Sequence, residues 1–279
     1  MDNILRALPS FRGKTRLARL LFDNEIKHQK DVLIKGKYNC SFVIPNLQEN
    51  VGLDIFINGI YEPETIRFLN RIIPRNGQFL DLGANIGAVL IPLCKRRPDI
   101  SAVAVEAAPW IFEYLEKNVK MNGLQNVQLL NKALFDKDDV ELDFFSPGIK
   151  FGKGSLAPVF SQEPVKVMTN RVDTIVRQFQ FGKVSTIKLD VEGFEFFVFK
   201  GAEHLLQSSD SPDIIFEFVD WAETKAMGLH AGAAQEYLLS VGYQLYLLEN
   251  DHPVKMEEPL KKGSSNLFAT KKDYPVPTS

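Results

Sequence analysis

The run Phe79-Leu80-Asp81-Leu82-Gly83-Ala84-Asn85-Ile86-Gly87 is a strand-like stretch that ends in small residues and leads into a helix-like one. Gly83 and Gly87 leave room for a ligand to approach the backbone. Asn85 tolerates unusual backbone angles and can cap the following helix, and Asp81 sets a carboxylate at the strand tip. In an open α/β sheet, ligands lie outside the carboxyl ends of the strands, so this turn suits a nucleoside. It departs from the pyrophosphate fingerprint GxGxxG: counted from Gly83, that pattern needs glycine at 85 and 88, where the chain has Asn85 and Ala88.

An acid at the strand tip favours a cationic ligand over a phosphate. S-adenosylmethionine carries an ammonium and a sulfonium and no phosphate, so the pattern points to it over a nicotinamide dinucleotide. Glu106 lies 25 residues after Asp81, where one carboxylate can accept both ribose hydroxyls. The competing reading is a packing turn followed by a solvated strand end. Trp110 and Phe112 either face adenine or fill core.

A second group lies further along. In Thr186-Ile187-Lys188-Leu189-Asp190, alternation puts Lys188 and Asp190 on one face of an apolar strand, where unpaired charge is costly. Asp190 facing the transferring group, with Lys188 ordering it or the acceptor, is the functional reading. A structural ion pair or a snorkelling lysine is the other. Glu192 and Glu195 either bind cofactor or cap the helix opened at Gly193. Glu217 sits within the apolar run Ile214 to Val219 and is expected beside Asp190 at the next strand tip. His230, between Gly228 and Gly232, is a candidate base or a surface loop histidine. Asp190 and Glu217 could together hold Mg²⁺, but no third ligand is evident, so metal dependence is disfavoured and no metal ligand is assigned.

The elements that must position these residues follow from periodicity. Strand-like runs at Gln78 to Leu82, Ser101 to Glu106, Val127 to Leu130, Thr186 to Asp190 and Asp213 to Phe218 alternate with helix-like segments at Ile86 to Arg97, Pro109 to Asn122, Val172 to Phe179 and Phe194 to Leu206. That rhythm predicts an α/β fold with a mostly parallel sheet covered on both faces. Ala233 to Ser240 reads as helix, and Tyr243 to Leu248 and Asn266 to Thr270 as closing strands. Pro63 to Ile73 is a helix stopped by Pro74. Before it, Thr15 to Phe22 reads as a short amphipathic helix, and Val32 to Ile44 and Leu53 to Ile57 as a small antiparallel element. Pro92 implies a helix that bends or begins late. Phe135 to Met168, rich in glycine and proline, reads as an irregular excursion near the functional edge of the sheet, a possible lid.

Composition bounds the rest. The 279 residues, 45% hydrophobic and 24% charged, fit a globular chain with a full core. Thirty-three Lys and Arg against 35 Asp and Glu leave a net charge of -2, which disfavours a nucleic-acid partner. Cys40 and Cys94 are too few for a disulfide framework, and no apolar run has the length of a membrane span, so a cytoplasmic setting is expected. The first 20 residues carry five cations against Asp2, a net +4 that either touches an anionic membrane surface or is a solvated helix face; the second reading is favoured. Nothing in the sequence bears on oligomeric state.

The segments FLDLGANIG, VAVEAAP, IKLDVEGFEFFVFKGAEHLL and IIFEF resemble the FkbM-type family of S-adenosylmethionine-dependent methyltransferases, over roughly Tyr61 to Thr270. The resemblance implies a class I methyltransferase (Rossmann-like) fold, with a seven-stranded, mostly parallel sheet, a reversed last strand and helices on both faces. It implies methylation of hydroxyl oxygens on small molecules or glycans. It places Asp81, Gly83, Asn85, Gly87, Glu106 and Ala107 at the cofactor, with Asp190 and Glu192 close by. Tyr61-Glu62 matches the start of the preceding helix, and Asn131 and Ala133 of NKALFDKD border adenine. Residues 1–60 are then an N-terminal helical and β extension, 61–272 the methyltransferase domain and 273–279 a frayed tail. The departures, in the loop after Phe144 and the first 50 residues, leave the acceptor open. A non-catalytic sensor of the cofactor is the first rival. A nicotinamide-linked oxidoreductase is disfavoured by Asn85 and the lack of a Tyr-x-x-x-Lys pair near the fourth strand. A nucleic-acid base methyltransferase is disfavoured by charge balance and the lack of an Asn-Pro-Pro-Tyr type segment.

Overall fold

Runs such as Ala102-Val103-Ala104-Val105 have no polar face, and the fold buries both their sides within an eight-stranded sheet, one strand in from its edge. The computed structural model describes residues 4–8, 11, 13–158, 161–249 and 251–274. In chain order the strands are β1 (Lys30–Lys35), β2 (Ser41–Asn46), β3 (Gln78–Leu82), β4 (Ser101–Glu106), β5 (Val127–Asn131), β6 (Ala133–Leu134), β7 (Glu141–Phe145), β8 (Pro164–Asn170), β9 (Val184–Leu189), β10 (Asp213–Val219), β11 (Gln244–Glu249), β12 (His252–Lys255) and β13 (Ser264–Thr270). The α-helices are α1 (Lys14–Leu21), α2 (Asp23–His28), α3 (Asn50–Asn58), α4 (Pro63–Ile72), α5 (Leu90–Arg96), α6 (Pro109–Met121), α7 (Val172–Gln178), α8 (Glu195–Gly201), α9 (Glu203–Gln207), α10 (Asp220–Glu223) and α11 (Ala233–Ser240).

The main sheet runs β5-β4-β3-β9-β10-β13-β11-β12. Its first five strands are mutually parallel, and β13 lies antiparallel between β10 and β11. These are the seven strands and reversed last strand that the resemblance implies. β12 adds a short eighth strand at the edge, antiparallel to β11. The chain winds outward from β3 through β4 and β5, then resumes on the other side at β9. The switch point, and the crevice that comes with it, therefore lies at the carboxyl tips of β3 and β9.

Alternation along the strands splits the core in two. Phe79, Ala102 and Ala104 face α4, α5, α6 and the N-terminal extension, whereas Leu80, Leu82, Val103 and Val105 face α7, α8 and α11. Extension residues Ile34, Phe42, Ile44 and Phe56 share the first of these cores. Asn118 on α6 ties the two parts together: fully buried, it donates to the carbonyls of Val43 (3.1 Å) and Ile86 (3.0 Å) and accepts from the Val43 N–H (2.7 Å). Removing it orphans buried groups on β2 and on the turn after β3. Asn118→Ala should cost about 3 kcal/mol, since each such group costs about 1–3, read as a lower urea midpoint.

Several elements differ from the sequence expectation. Leu53 to Ile57 is part of helix α3, not a strand. Val51, Leu53, Ile55, Phe56 and Ile57 are all buried, and with Asp54 the one polar residue between Leu53 and Ile57, so short a run does not reveal its period. Phe135 to Met168 is not wholly irregular: β7 and β8 pair antiparallel, with β6 beside β8. The helix expected over Phe194 to Leu206 breaks after Gly201, whose backbone packs so closely that a Cβ would lie 2.3 Å from the Phe135 carbonyl oxygen. α5 begins late, at Leu90, which leaves Pro92 in the first turn, where no intrahelical N–H bond is lost. Of the tail, Tyr274 packs on Phe268 (5.2 Å between ring centroids) and Tyr246 (6.0 Å), while 275–279 lie outside the described residues.

In the basic N-terminal segment, Arg6 donates to the carbonyls of Phe56 and Ile55, and buried Lys14 donates to that of Leu8. Arg16 and Arg19 are exposed, and Arg12 lies outside the described residues. Among the described residues no helix is long and apolar enough to cross a membrane.

Candidate active site

Parallel register brings the strand-tip acids into one crevice. Asp81 on β3 stands opposite Lys188 on β9, and Phe216 on β10 opposite Leu189, so Asp190 and Glu217 leave adjacent strands side by side. The turn after β3 is held open by backbone bonds: the Gly83 and Ala84 N–H groups both donate to the Val105 carbonyl (3.0 and 2.9 Å), and the Asp190 N–H donates to the Leu82 carbonyl (2.9 Å). Gly83 has φ 83°, and a Cβ there would fall 1.9 Å from the Asp190 carbonyl oxygen. No other residue fits without moving β9.

The crevice is walled by Tyr61, Glu62, Asp81, Gly83, Asn85, Glu106, Ala107, Ala133, Lys188, Asp190, Glu192 and Glu217 among the residues singled out from sequence. Others of them fall elsewhere. Gly87 lies behind the turn, its space taken by Ile91 and Leu115. Asn131 sits behind the wall, its amide donating to the carbonyls of Glu106 (2.8 Å) and Ala107 (3.1 Å). His230 is a surface residue, its Nε2 2.8 Å from Glu236 Oε2, because the loop before α11 turns away from the crevice. Trp110 does not reach the crevice; its indole N–H donates to Ser146 Oγ (3.1 Å). Glu195 turns back on its own segment, accepting from the Val191 and Gly193 N–H groups (3.2 and 3.3 Å), and so holds the turn before α8 without capping the helix.

Two carboxylates are set up for a ligand. Glu106 accepts from the Asn85 N–H at Oε2 (2.9 Å) and the Ala108 N–H at Oε1 (2.8 Å), which fixes its orientation and leaves further lone pairs for hydroxyl donors. Asp81 is buried, and neither of its carboxylate oxygens has a hydrogen-bond partner. Its nearest cation, Lys188 Nζ, is 3.9 Å away and lies 3.5 Å from Asp190 Oδ2. A buried acid in that state suits a cationic group. Glu62, Asn85 and Glu192 line the crevice with φ of 41°, 52° and 52°, the left-handed region that non-glycine residues avoid and that clusters at functional sites.

Sequence reasoning missed a wall. Glu49, Asn50 and Val51 at the start of α3 line the crevice, as do Phe144 and the loop stretch Phe151, Gly152, Lys153 and Gly154 between β7 and β8. The Asn85 side chain donates to the Phe151 carbonyl (3.0 Å), which ties this loop to the turn after β3. The glycine-rich loop was visible as a possible lid, but no local pattern marks Glu49 or Lys153.

Burial governs the titration of these acids. It pushes Asp81 up to about 6, against the pull of Lys188, and Glu106 to about 7, against its backbone N–H donors. It raises Glu195 to about 8 and, with Asp190 adding repulsion, Glu192 to about 7 and Glu217 to about 8. Burial, with repulsion from Glu62 next, also holds the Tyr61 hydroxyl well above its usual range. Each carboxyl therefore binds its proton more tightly folded than unfolded. As pH rises from the ordinary carboxyl values of 3.8–4.5 towards 8, the unfolded chain gives up these protons first, and folding stability falls. The ligand-free protein should lose urea stability steadily from about pH 5 to about pH 8; a curve that rises over that window would contradict this account.

A family model described as the methyltransferase FkbM domain matches residues 81–245, more than half of the chain. Among solved structures, a precorrin-6y C5,15-methyltransferase of Geobacter metallireducens GS-15 is 13% identical, with 76% of this chain and 88% of that one covered and a TM-score of 0.45. A putative methyltransferase of Streptococcus mutans, SMU.1697c, solved in complex with SAH, is 7% identical over 74% and 94%, with a TM-score of 0.44. These likenesses are loose. No curated protein sequence matches the chain.

Proposed function

Because the chain belongs to the FkbM methyltransferase family, we propose that it is an S-adenosylmethionine-dependent O-methyltransferase acting on a hydroxyl of a small molecule or glycan. In this reading 61–272 form the catalytic domain and 1–60 a cap that contributes Glu49 to its crevice. The observation that carries the cofactor is the pair of prepared acids at the switch point: Asp81, buried with unbonded oxygens, and Glu106, oriented by two backbone donors.

Bound there, the cofactor supplies a methyl group on a positively charged sulfur. Glu106 would accept the ribose hydroxyls, and Asp81 would face the ammonium group. Ala107 and Ala133, which line the crevice, would border adenine. The acceptor then approaches from the side of Asp190 and Glu217. A carboxylate at these tips would take the proton that the acceptor hydroxyl gives up as its oxygen receives the methyl group, the electron pair of the carbon–sulfur bond remaining with sulfur. Asp190, beside Glu217, would be the residue to take it, with Lys188, 3.5 Å away, ordering it. The distance of His230 from the crevice removes support for it as the base.

Isothermal titration with S-adenosylhomocysteine tests the cofactor: binding in the micromolar range is expected, and no heat at millimolar ligand overturns the reading. Transfer of labelled methyl from the cofactor to a component of a cell extract separates an enzyme from a sensor. The net charge supports no nucleic-acid partner, and the inward-turned Arg6 and Lys14 support the reading of the N-terminal segment as a packed cap.

A further inference from the structure

Three carboxylates, Asp190, Glu192 and Glu217, meet at the acceptor end of the crevice, each offering an oxygen within 4.8 Å of the others. Burying like charges together is unfavourable unless a cation accompanies them. A divalent ion could serve, and so could a side chain. The chain provides the side chain. Lys153, carried in by the loop between β7 and β8, places Nζ 2.8 Å from Glu192 Oε1. Its neighbours hold it there: the Phe151 carbonyl accepts from Asn85 (3.0 Å), Ser155 Oγ donates to the Glu192 carbonyl (3.1 Å), and Gly152 lies so near Glu49 that a Cβ would be 3.2 Å from its Oε1. Burial opposes the charge on Lys153, yet attraction from Glu192, Glu217 and Asp190 outweighs it and raises the ammonium above its ordinary value.

We propose that Lys153 is a positioning residue that acts as a built-in cation of the acceptor subsite, paired with Glu192 where Asp190, Glu192 and Glu217 could otherwise hold a divalent metal. The inference rests on reading this crevice as the methyl-transfer site. It makes the loop part of the machinery: the segment anchored on the cofactor turn through Asn85 delivers the charge that orders Glu192 on the acceptor side. Glu49, facing Gly152 from just before α3, adds a further acid to the same end; Lys188 stays 3.5 Å from Asp190, so loss of Lys153 would strip the ammonium from Glu192 in particular.

The test is Mn²⁺ affinity of the full chain, followed by the electron paramagnetic resonance of free Mn²⁺, for the wild type, Lys153→Met and Lys153→Arg. Wild type and Lys153→Arg should bind only in the millimolar range or weaker, and Lys153→Met at least about tenfold more tightly, because a unit charge at this distance is removed from a site of low dielectric. A lysine whose charge did not act on these carboxylates would not tighten metal binding when lost, nor would arginine restore the wild-type value. A gain below tenfold in Lys153→Met, or micromolar Mn²⁺ binding by the wild type, overturns the proposal. Lys153→Gln repeats the comparison if methionine disturbs the loop. Titration of the same proteins with S-adenosylhomocysteine reports separately on the cofactor reading: wild type that fails to bind it sinks that reading and leaves the Mn²⁺ comparison intact.

Discussion

Asp190→Asn is expected to slow methyl transfer by on the order of 10²–10⁴-fold, the range over which a positioned proton acceptor contributes, while S-adenosylhomocysteine affinity changes by less than about threefold. The side chains are isosteric, and the Asp190 backbone, whose N–H donates to Leu82 and whose carbonyl closes over Gly83, stays where it is. What disappears is the carboxylate beside Lys188 and Glu217, the group that takes the hydroxyl proton in the proposed reaction. Initial rates with labelled cofactor, set beside calorimetric affinities, separate the two effects. An unchanged rate would move the chemistry away from β9, and a matching loss of affinity would make Asp190 a cofactor ligand only.

The other large effect is at Gly83. An alanine there needs a left-handed backbone, which costs about 1–2 kcal/mol for an L-residue, and its Cβ would have to occupy space 1.9 Å from the Asp190 carbonyl oxygen. Backbone is the obstacle, so the strain is relieved only by separating β3 from β9 at the crevice. Gly83→Ala should lower stability by about 3 kcal/mol or more and weaken S-adenosylhomocysteine binding at least about hundredfold. Gly123→Ala is the control: it shares the positive φ, at 65°, but a Cβ there meets nothing within 4 Å. It should cost about 1 kcal/mol and leave affinity unchanged. Equal losses in the two variants would show that backbone angle, not crowding at the switch point, explains the glycine.

Why parts of the site were legible follows from how each residue reaches it. Asp81, Glu106, Asp190 and Glu217 sit at or just beyond the ends of β3, β4, β9 and β10, and a parallel sheet brings such ends to one edge whatever the loops do. A strand seen in sequence therefore already places its tip. Leu53 to Ile57 had no such help. Buried but for Asp54 and only five residues long, it gave no clear periodicity, and packing against the first core went with helix α3. His230 had suggestive glycine neighbours, yet the direction of its loop, settled by the Glu236 contact and the docking of α11, put it outside.

Lys153 marks the limit most clearly. It is separated from Glu192 by 39 residues and belongs to a loop with no recognisable pattern, and Glu49 comes from a segment unlike the rest of the chain. From sequence alone come the α/β class, the strand-tip acids and the glycine turn, because these depend on alternation and on contacts between near neighbours in the chain. Which carboxylates receive a cation, and from where, was decided only by tertiary structure: electrostatic energy depends on distances of a few ångströms, and loop closure sets those distances without leaving a trace in residue order.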